Sequence, residues 1–328
     1  MDEMIKWSEE KNSFVFEVNS EDIEPRQMAN IDKMFTEIKV YVKTLHIAHC
    51  LYRGAYSGLC CGNVYRDKGQ CDGKNDRYDL GDKVFPVIHA HTYHITVLYT
   101  MNEPEIDLTK ELDEFFDKYE NTTCLTPDNP ISELFKGHPN FHIWDENPTA
   151  EYMACSWCKE LTEKFGNKHI RVSVEETSHN LVRYSEYTGW TIVTNIELPV
   201  AFPAFPDSED ITPLTGSNIF VTVELTSNKL DENGMVIDFK KMKKILHEVF
   251  DKYDHSLILP KDCKLAKAYK ENFEKNGIDY SRSRIYEIPV QLQYSKMEGA
   301  IKGLFDEEVR NAFKNEFELD SVNVKLEF

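Results

Sequence analysis

An order of secondary structure that occurs twice along the chain is the strongest constraint on how it folds. In the first half, IKVYVKTLHIAH and VIHAHTYHITVLYT alternate apolar and polar residues as strands do, and HIRVSVEET and NLVRYSEY continue that pattern after two segments with helical spacing. In the second half, the strand-like segments GWTIVTNIELPVAF and NIFVTVELTSN precede two helical segments and a last strand, SVNVKLEF. Antiparallel strand pairs separated by helices indicate an α+β fold with the helices on one face of a sheet. The repetition indicates two such modules in tandem.

The length also favours two domains, because 328 residues exceed what one small domain needs. We predict an N-terminal extension over residues 1–36, a first module over residues 37–187 and a second module over residues 188–328. The predicted helices are LTKELDEFFDKY and TAEYMACSWCKELTEKF in the first module, and IDFKKMKKILHEVFDKY and SKMEGAIKGLFDEEVRNAF in the second. Thr149, the first residue of the second of these segments, is expected to cap the helix.

The composition argues against several classes of partner. A formal net charge of -19 disfavours nucleic acid, whose phosphates are bound by clustered Lys and Arg. The chain has no apolar run of about 20 residues, as a membrane-spanning helix requires, and its first residues lack the apolar core of a signal peptide. Eight cysteines in a chain without an export signal favour free thiols or metal ligands over disulfides. We therefore predict a cytoplasmic protein without nucleic-acid or membrane partners.

Three histidines have the spacing of a metal site. His89 and His91 are two residues apart in a predicted strand, so their side chains project from the same face. His49 ends the preceding strand, which an antiparallel sheet brings alongside. Three imidazoles with an open fourth position are the arrangement of catalytic zinc. On spacing alone the pattern is also compatible with structural histidines, and His46 and His94 compete as ligands.

These histidine segments resemble a known family. LHIAH and IHAHTYHITV are similar to the zinc-binding pattern of the 6-pyruvoyltetrahydropterin synthase and 6-carboxytetrahydropterin synthase family. The resemblance covers residues 38–328 in two copies. It implies two tunnelling-fold modules, each a four-stranded antiparallel sheet with two helices on one face, assembled into homo-oligomeric rings. It also implies that a Zn2+ ion is bound by His49, His89 and His91.

The resemblance extends to a substrate-binding strand. HIRVSVEET is similar to the family's strand in which a Glu followed by Thr binds the pterin, which gives that role to Glu176 and Thr177. A carboxylate can accept two parallel hydrogen bonds from the N–H groups of a pterin edge. The alternative is that Glu176 is a solvent-facing side chain beside Glu175.

The second module resembles the family in a different set of residues. Its segment from TGSNIF to DHSLIL matches the family's segment from the metal motif to an Asp-His pair, which implies proton transfer by Asp254 and His255. Thr215 and Ser217 occupy the metal positions, and neutral hydroxyls are poor zinc ligands. The alternative is that the Asp-His pair forms local hydrogen bonds after a helix.

The first module, conversely, has Thr122, Thr123 and Cys124 where the Asp-His pair is expected. We therefore predict one active site that is split between the modules.

The family's catalytic cysteine has no counterpart at the expected place, where the chain has Phe85 and Pro86. Cys60, Cys61 and Cys71 lie in the enlarged loop before them, and a loop can carry a functional group back to a rigid scaffold. We choose Cys61 as the candidate catalytic cysteine because Gly62 and Asn63 follow it.

The predicted function is that of a zinc-dependent lyase. The expected reaction converts 7,8-dihydroneopterin triphosphate to a 6-carboxy- or 6-pyruvoyl-tetrahydropterin, the former being a precursor in 7-deazaguanine and queuosine biosynthesis. The alternatives are a tandem nitrile reductase of queuosine synthesis and a pterin- or purine-binding protein without catalysis.

Overall fold

The computed structural model describes residues 5–8, 13–16, 38–50, 88–100, 107–129, 131–166, 169–205, 213–231, 233–289, 296–314 and 319–328. The candidate catalytic Cys61, its alternatives Cys60 and Cys71, and the Phe85-Pro86 pair lie outside these residues. The chain divides into two compact units, one formed by Met1–Thr191 with Lys229–Val236, the other by Ile192–Asn228 with Ile237–Phe328. The predicted extension, module boundaries and duplication remain predictions.

The first unit contains a mixed sheet of eight described strands. They are β1 (Ile5–Ser8), β2 (Ser13–Phe16), β3 (Ile38–His49), β4 (His89–Thr100), β5 (Thr122–Leu125), β6 (Phe141–Ile143), β7 (Ile170–Thr177) and β8 (Asn180–Ser185). The order β1-β2-β3-β4-β7-β8 is antiparallel throughout. The strands β3, β4, β7 and β8 correspond to the four predicted in this half. Strands β5 and β6, which the sequence analysis does not predict, add to the edge of β3 in parallel.

The helices of the first unit are α1 (Thr109–Asp117), α2 (Ser132–Phe135) and α3 (Ala150–Phe165). Helix α1 packs against β3, and α3 packs against β7 and β8. Helix α3 begins where Thr149 Oγ1 accepts the N–H of Tyr152, so Thr149 caps this helix as predicted, and it ends at Gly166, whose φ of 61° suits glycine. The core under these helices is apolar and alternates along the strands, including Leu45, Ile47, Tyr93, Ile95, Val97, Val172 and Val174.

The start of α3 holds the segment Lys229–Val236, which belongs to the first unit although it comes from the second half of the chain. Thr149 Oγ1 donates to the carbonyl oxygen of Gly234 at 2.9 Å, and Val236 N–H donates to Glu151 Oε1 at 3.2 Å. Glu151 is 2% exposed, and this burial raises the pKa of its carboxyl group to about 8. An acidic residue therefore lies in the interior, where its neutral form is favoured.

The second unit is built on five strands: β9 (Gly189–Pro203), β10 (Leu214–Ser227), β11 (Ser256–Pro260), β12 (Ile285–Ile288) and β13 (Ser321–Glu327). Of β9, the residues from Ile192 onward belong to this unit. Strand β10 lies between β9 and β13 and is antiparallel to β13. Strand β11 runs parallel to both β9 and β12. A four-stranded, wholly antiparallel sheet is thus wrong for the described part of both units. In the first unit β5 and β6 add in parallel, and in the second the chain after β10 crosses over through a helix before β11 pairs.

The helices of the second unit are α4 (Phe239–Phe250), α5 (Lys264–Lys275) and α6 (Met297–Phe313), with a 3-10 turn at Tyr280–Arg282. Helix α6 packs against α4 and β13. Helix α5 is not among the elements that the sequence analysis predicts. None of the helices in the described ranges combines the length and apolar composition needed to cross a membrane.

Candidate active site

The structure brings His49, His89 and His91 together at the ends of β3 and β4. His49 is directly opposite His89 in the antiparallel register, and the ring centroids of these two residues are 4.4 Å apart. The His91 ring lies 5.4 Å from that of His49 and 5.0 Å from that of His89. One ligand atom from each residue lies within 4.8 Å of the others. This spacing suits three imidazoles that converge on one ion.

The alternation of the strands decides which histidines can join this group. His49 is in phase with the buried Leu45 and Ile47, so the group continues the face that carries the core. His46 and His94 are exposed on the opposite face. His46 Nδ1 lies 2.8 Å from Glu120 Oε1, and His94 Nδ1 lies 3.2 Å from the hydroxyl of Thr44. These two histidines therefore do not compete as ligands.

Two further side chains contact the histidine group. The hydroxyl of Tyr93 lies 3.1 Å from Nε2 of His49, and Glu176 Oε1 lies 3.1 Å from Nε2 of His91. Such partners hold imidazole rings in one orientation and make them better ligands. Tyr93 is missing from the sequence prediction, although its position two residues after His91 on the same strand face could have identified it.

Glu176 lies at an irregularity in the pairing of β7 with β8. The register shifts between Glu175 and Thr177, as at a β-bulge, and bulges commonly re-aim a side chain near a site. The side chain of Glu176 is only 21% exposed, so it is not the solvent-facing carboxylate of the alternative interpretation. Thr177 is exposed, and its hydroxyl accepts the N–H of His179 at 3.3 Å.

The donor set fits zinc. Three neutral imidazole nitrogens are ligands that zinc prefers, and a set of three leaves a coordination position for water or substrate. His49 is 3% exposed, whereas the side chain of His91 is 25% exposed. With His49 buried and His91 partly accessible, a bound ion would have its open coordination position on the solvent side.

Asp254 and His255 form the predicted pair in the second unit. His255 Nδ1 lies 2.9 Å from Asp254 Oδ1, which leaves Nε2 for a substrate. His255 has a φ of 53°, a conformation uncommon outside glycine, and its N–H donates to the carbonyl oxygen of Pro199 at 2.9 Å. Its side chain is 74% exposed. The backbone thus directs the imidazole outward instead of into the core.

The structure also describes the positions at which each half of the chain lacks residues expected from the resemblance. Thr215 and Ser217 lie in β10, and the described residues contain no second group of His, Cys, Asp and Glu that could hold an ion. Thr122, Thr123 and Cys124 lie in β5, where Cys124 is opposite His49. Burial raises the pKa of the Cys124 thiol to about 12, so this cysteine stays protonated at neutral pH.

Comparisons with known proteins give a consistent set of matches. The sequence model of the family "6-pyruvoyl tetrahydropterin synthase" matches residues 207–322, a range that includes Asp254 and His255 but none of the three histidines. The chain is 32% identical over 89 residues to a protein of Archaeoglobus fulgidus named "Putative 6-carboxy-5,6,7,8-tetrahydropterin synthase". This match covers 26% of the chain and 76% of the archaeal protein.

The chain is also similar to two other proteins. A Methanocaldococcus jannaschii protein of the same name is 36% identical over 76 residues, covering 23% of the chain and 45% of that protein. The crystal structure of 6-pyruvoyl tetrahydropterin synthase from Plasmodium vivax is 18% identical, with a TM-score of 0.28, covering 42% of this chain and 90% of the other.

Proposed function

Because this chain belongs to the 6-pyruvoyl tetrahydropterin synthase family, we propose that it is a zinc-dependent lyase acting on 7,8-dihydroneopterin triphosphate. The observation that carries the proposal is the convergence of His49, His89 and His91, with ligand atoms within 4.8 Å of one another and Glu176 3.1 Å from His91. The names of the two archaeal relatives favour a 6-carboxy-tetrahydropterin over a 6-pyruvoyl product.

The histidines and Tyr93 form the metal-holding part of the proposed site. Lewis acidity is the chemistry that a zinc ion supplies when bound, since it lowers the cost of removing protons next to a side-chain oxygen of the substrate. His49 is fixed by burial and by its contact with the Tyr93 hydroxyl. These contacts keep the imidazoles in place before substrate arrives, so the site needs little reorganisation.

Glu176 is the proposed anchor for the pterin ring, with Thr177 beside it. A carboxylate accepts two parallel hydrogen bonds from the amino group and ring N–H of the pterin edge. Its position next to His91 supports this role, because a ring held by Glu176 has its side chain close to the histidine group.

Asp254 and His255 are the proposed proton-transfer pair. When Nδ1–H of His255 donates to Asp254, Nε2 is the basic nitrogen and is free to accept a proton. We propose that this pair and the histidine group act on the same substrate molecule, whether one chain or two copies in a ring supply them. Cys61 stays our candidate for an additional acid or base.

The proposal is tested by metal analysis combined with mass spectrometry of the products from dihydroneopterin triphosphate. We expect about one zinc per chain, loss of triphosphate from the substrate, and a 6-substituted tetrahydropterin as product. The matched variants are His89→Ala, which removes a ligand, and His46→Ala, which removes an exposed histidine from the opposite face of the same sheet. Only His89→Ala should lose zinc and turnover.

The shared-substrate part of the proposal is tested by mixing two inactive variants, His89→Ala and His255→Ala. If one chain supplies both groups, the mixture stays inactive. If two copies share a site, exchange of subunits restores turnover. A chain that binds zinc and pterin but forms no product would instead be a binding protein, and turnover in the His255→Ala variant would remove His255 from the mechanism.

A further inference from the structure

A pocket in the second unit lies beside His255, and His255 is the member of its lining that also belongs to the site described above. Its volume is about 620 Å³, and its walls come from β11, β12, α5 and the 3-10 turn. Tyr269 and Phe273 contribute one wall, and Leu257 and Ile285 contribute another. His255 forms part of the lining. A group bound here therefore lies next to the exposed imidazole.

The walls of this pocket are held by specific contacts. Tyr269 and Ile285 pack against a buried apolar cluster of Leu257, Leu259 and Ala266. Glu287 on β12 links α5 to the turn, since its Oε1 accepts from Lys270 Nζ at 2.6 Å and from the Tyr280 hydroxyl at 3.2 Å. The pocket is thus a fixed part of the second unit.

Two arginines give the pocket its charge. Arg282 and Arg284 both line it, on either side of Ser283, in a chain whose formal net charge is -19. Arg284 is oriented by a hydrogen bond from Nη1 to the carbonyl oxygen of Asp254. Asp279 is the acidic residue in the lining. Its Oδ1 accepts from the N–H and the hydroxyl of Ser281, and its Oδ2 lies 3.9 Å from Arg282 Nε. The two guanidinium groups outnumber this carboxylate.

A buried hydroxyl in the same lining has no protein partner among the described residues. Ser256 is 6% exposed, and its Oγ makes no hydrogen bond there. Buried hydroxyls are normally paired, and a bound anion is one partner that the Ser256 hydroxyl could take. An oxygen-rich anion would supply acceptors for Ser256 and for both guanidinium groups.

We propose that this pocket binds an oligophosphate group, and that it receives the phosphate chain of the substrate next to His255. Guanidinium groups recognise phosphate through paired, charge-assisted hydrogen bonds. The identity of the substrate rests on the proposed function, whereas the binding of oligophosphate does not. The arginines are binding residues that discriminate between phosphorylated and unphosphorylated substrates.

The first test measures binding of inorganic tripolyphosphate to the full chain by calorimetry. The chain carries His89→Ala, so that chelation of zinc by the anion does not contribute. We expect binding that weakens with salt, and a loss of about tenfold in affinity for each of Arg282→Ala and Arg284→Ala. Arg310→Ala is the matched control, because it removes an exposed arginine of α6 outside the pocket. Equal affinities in all variants would overturn the proposal.

The second test measures kinetics on the zinc-loaded chain with His89 intact. Arg284→Ala should raise KM for dihydroneopterin triphosphate about tenfold, with little change for the unphosphorylated dihydropterin. Arginine-dependent binding of tripolyphosphate without any turnover would uphold the pocket and contradict the proposed function. Turnover with an unchanged KM in both arginine variants would contradict the substrate assignment of the pocket.

Discussion

Tyr93 connects the fold to the candidate metal site through a single hydroxyl. Its ring is buried in the core, while its oxygen lies 3.1 Å from Nε2 of His49. Residues that orient metal ligands in this way typically change metal affinity by 10- to 100-fold when they are removed. The residue therefore offers a test of the site that leaves every ligand in place.

We predict that Tyr93→Phe weakens zinc binding by about tenfold or more, since the hydroxyl that contacts His49 Nε2 is removed while the apolar packing is kept. The measurement is competition for zinc with a chelating dye. Tyr41→Phe serves as the control, because this buried tyrosine of β3 donates to Asp113 and not to a histidine of the group. Equal affinities in the two variants would show that the hydroxyl does not orient His49.

The buried Glu151 makes the stability of the folded chain depend on pH. Burial, with smaller contributions from the Glu176 and Asp231 carboxylates, raises its pKa from 4.5 to about 8 in the folded chain. The folded state therefore binds the proton more tightly than the unfolded state does. This stability is fully present below about pH 4.5 and is lost as the pH rises through 8.

The variant Glu151→Gln keeps an acceptor for the Val236 N–H and cannot ionise. We expect its free energy of unfolding to depend less on pH than that of the wild type between pH 4.5 and 8, and to exceed it at pH 8. Denaturant unfolding across this range is the measurement. Glu163→Gln, on the exposed side of the same helix, should follow the wild type. A parallel pH profile for Glu151→Gln would refute the assignment.

At the scale of elements, the start of α3 both begins a helix and fixes a distant segment. Thr149 accepts the N–H of Tyr152 and donates to the carbonyl oxygen of Gly234. We predict that Thr149→Ala lowers the free energy of unfolding by about 1–3 kcal/mol, through the lost cap and the unpaired carbonyl. Thr149→Ser retains the hydroxyl and should recover most of the loss. Chemical denaturation of both variants distinguishes a hydrogen-bond effect from a packing effect.

The elements that sequence periodicity predicts are the long ones. The strands β3, β4 and β7 and the helices α1, α3, α4 and α6 each contain enough residues to show a period of two or 3.6. Strands of three to five residues, such as β5, β6, β11 and β12, are too short to show one. Their parallel pairing joins residues far apart in the chain, which no local pattern encodes.

The same distinction holds for the site. His89 and His91 are close in sequence, and the antiparallel pairing of β3 with β4 places His49 opposite them, so the group could be predicted. The contact between Glu151 and Val236 spans 85 positions, and it could not. Helix α5 differs from these short strands. Leu265, Ala266, Tyr269 and Phe273 have helical spacing, but this segment falls outside the order of elements that occurs twice along the chain.

At the scale of the whole chain, zinc should stabilise one unit locally. A ligand that binds only the folded state stabilises it by about 2.7 kcal/mol at a concentration 100 times its Kd. We predict that zinc increases hydrogen-exchange protection in β3 and β4, with β13 as the internal reference, and that His49→Ala abolishes this increase. Equal changes in β4 and β13 would contradict binding at the histidine group.

The assignment of Lys229–Val236 to the first unit has a consequence for how the chain is made. The polypeptide leaves that unit after Thr191 and forms β9 and β10 of the second unit. It returns to the first unit for Lys229–Val236 and then completes the second. During synthesis the carboxyl group of Glu151 cannot accept from the Val236 amide until residue 236 has emerged from the ribosome. A nascent chain stopped at residue 191 would lack that amide, and splitting the gene there would yield an incomplete product.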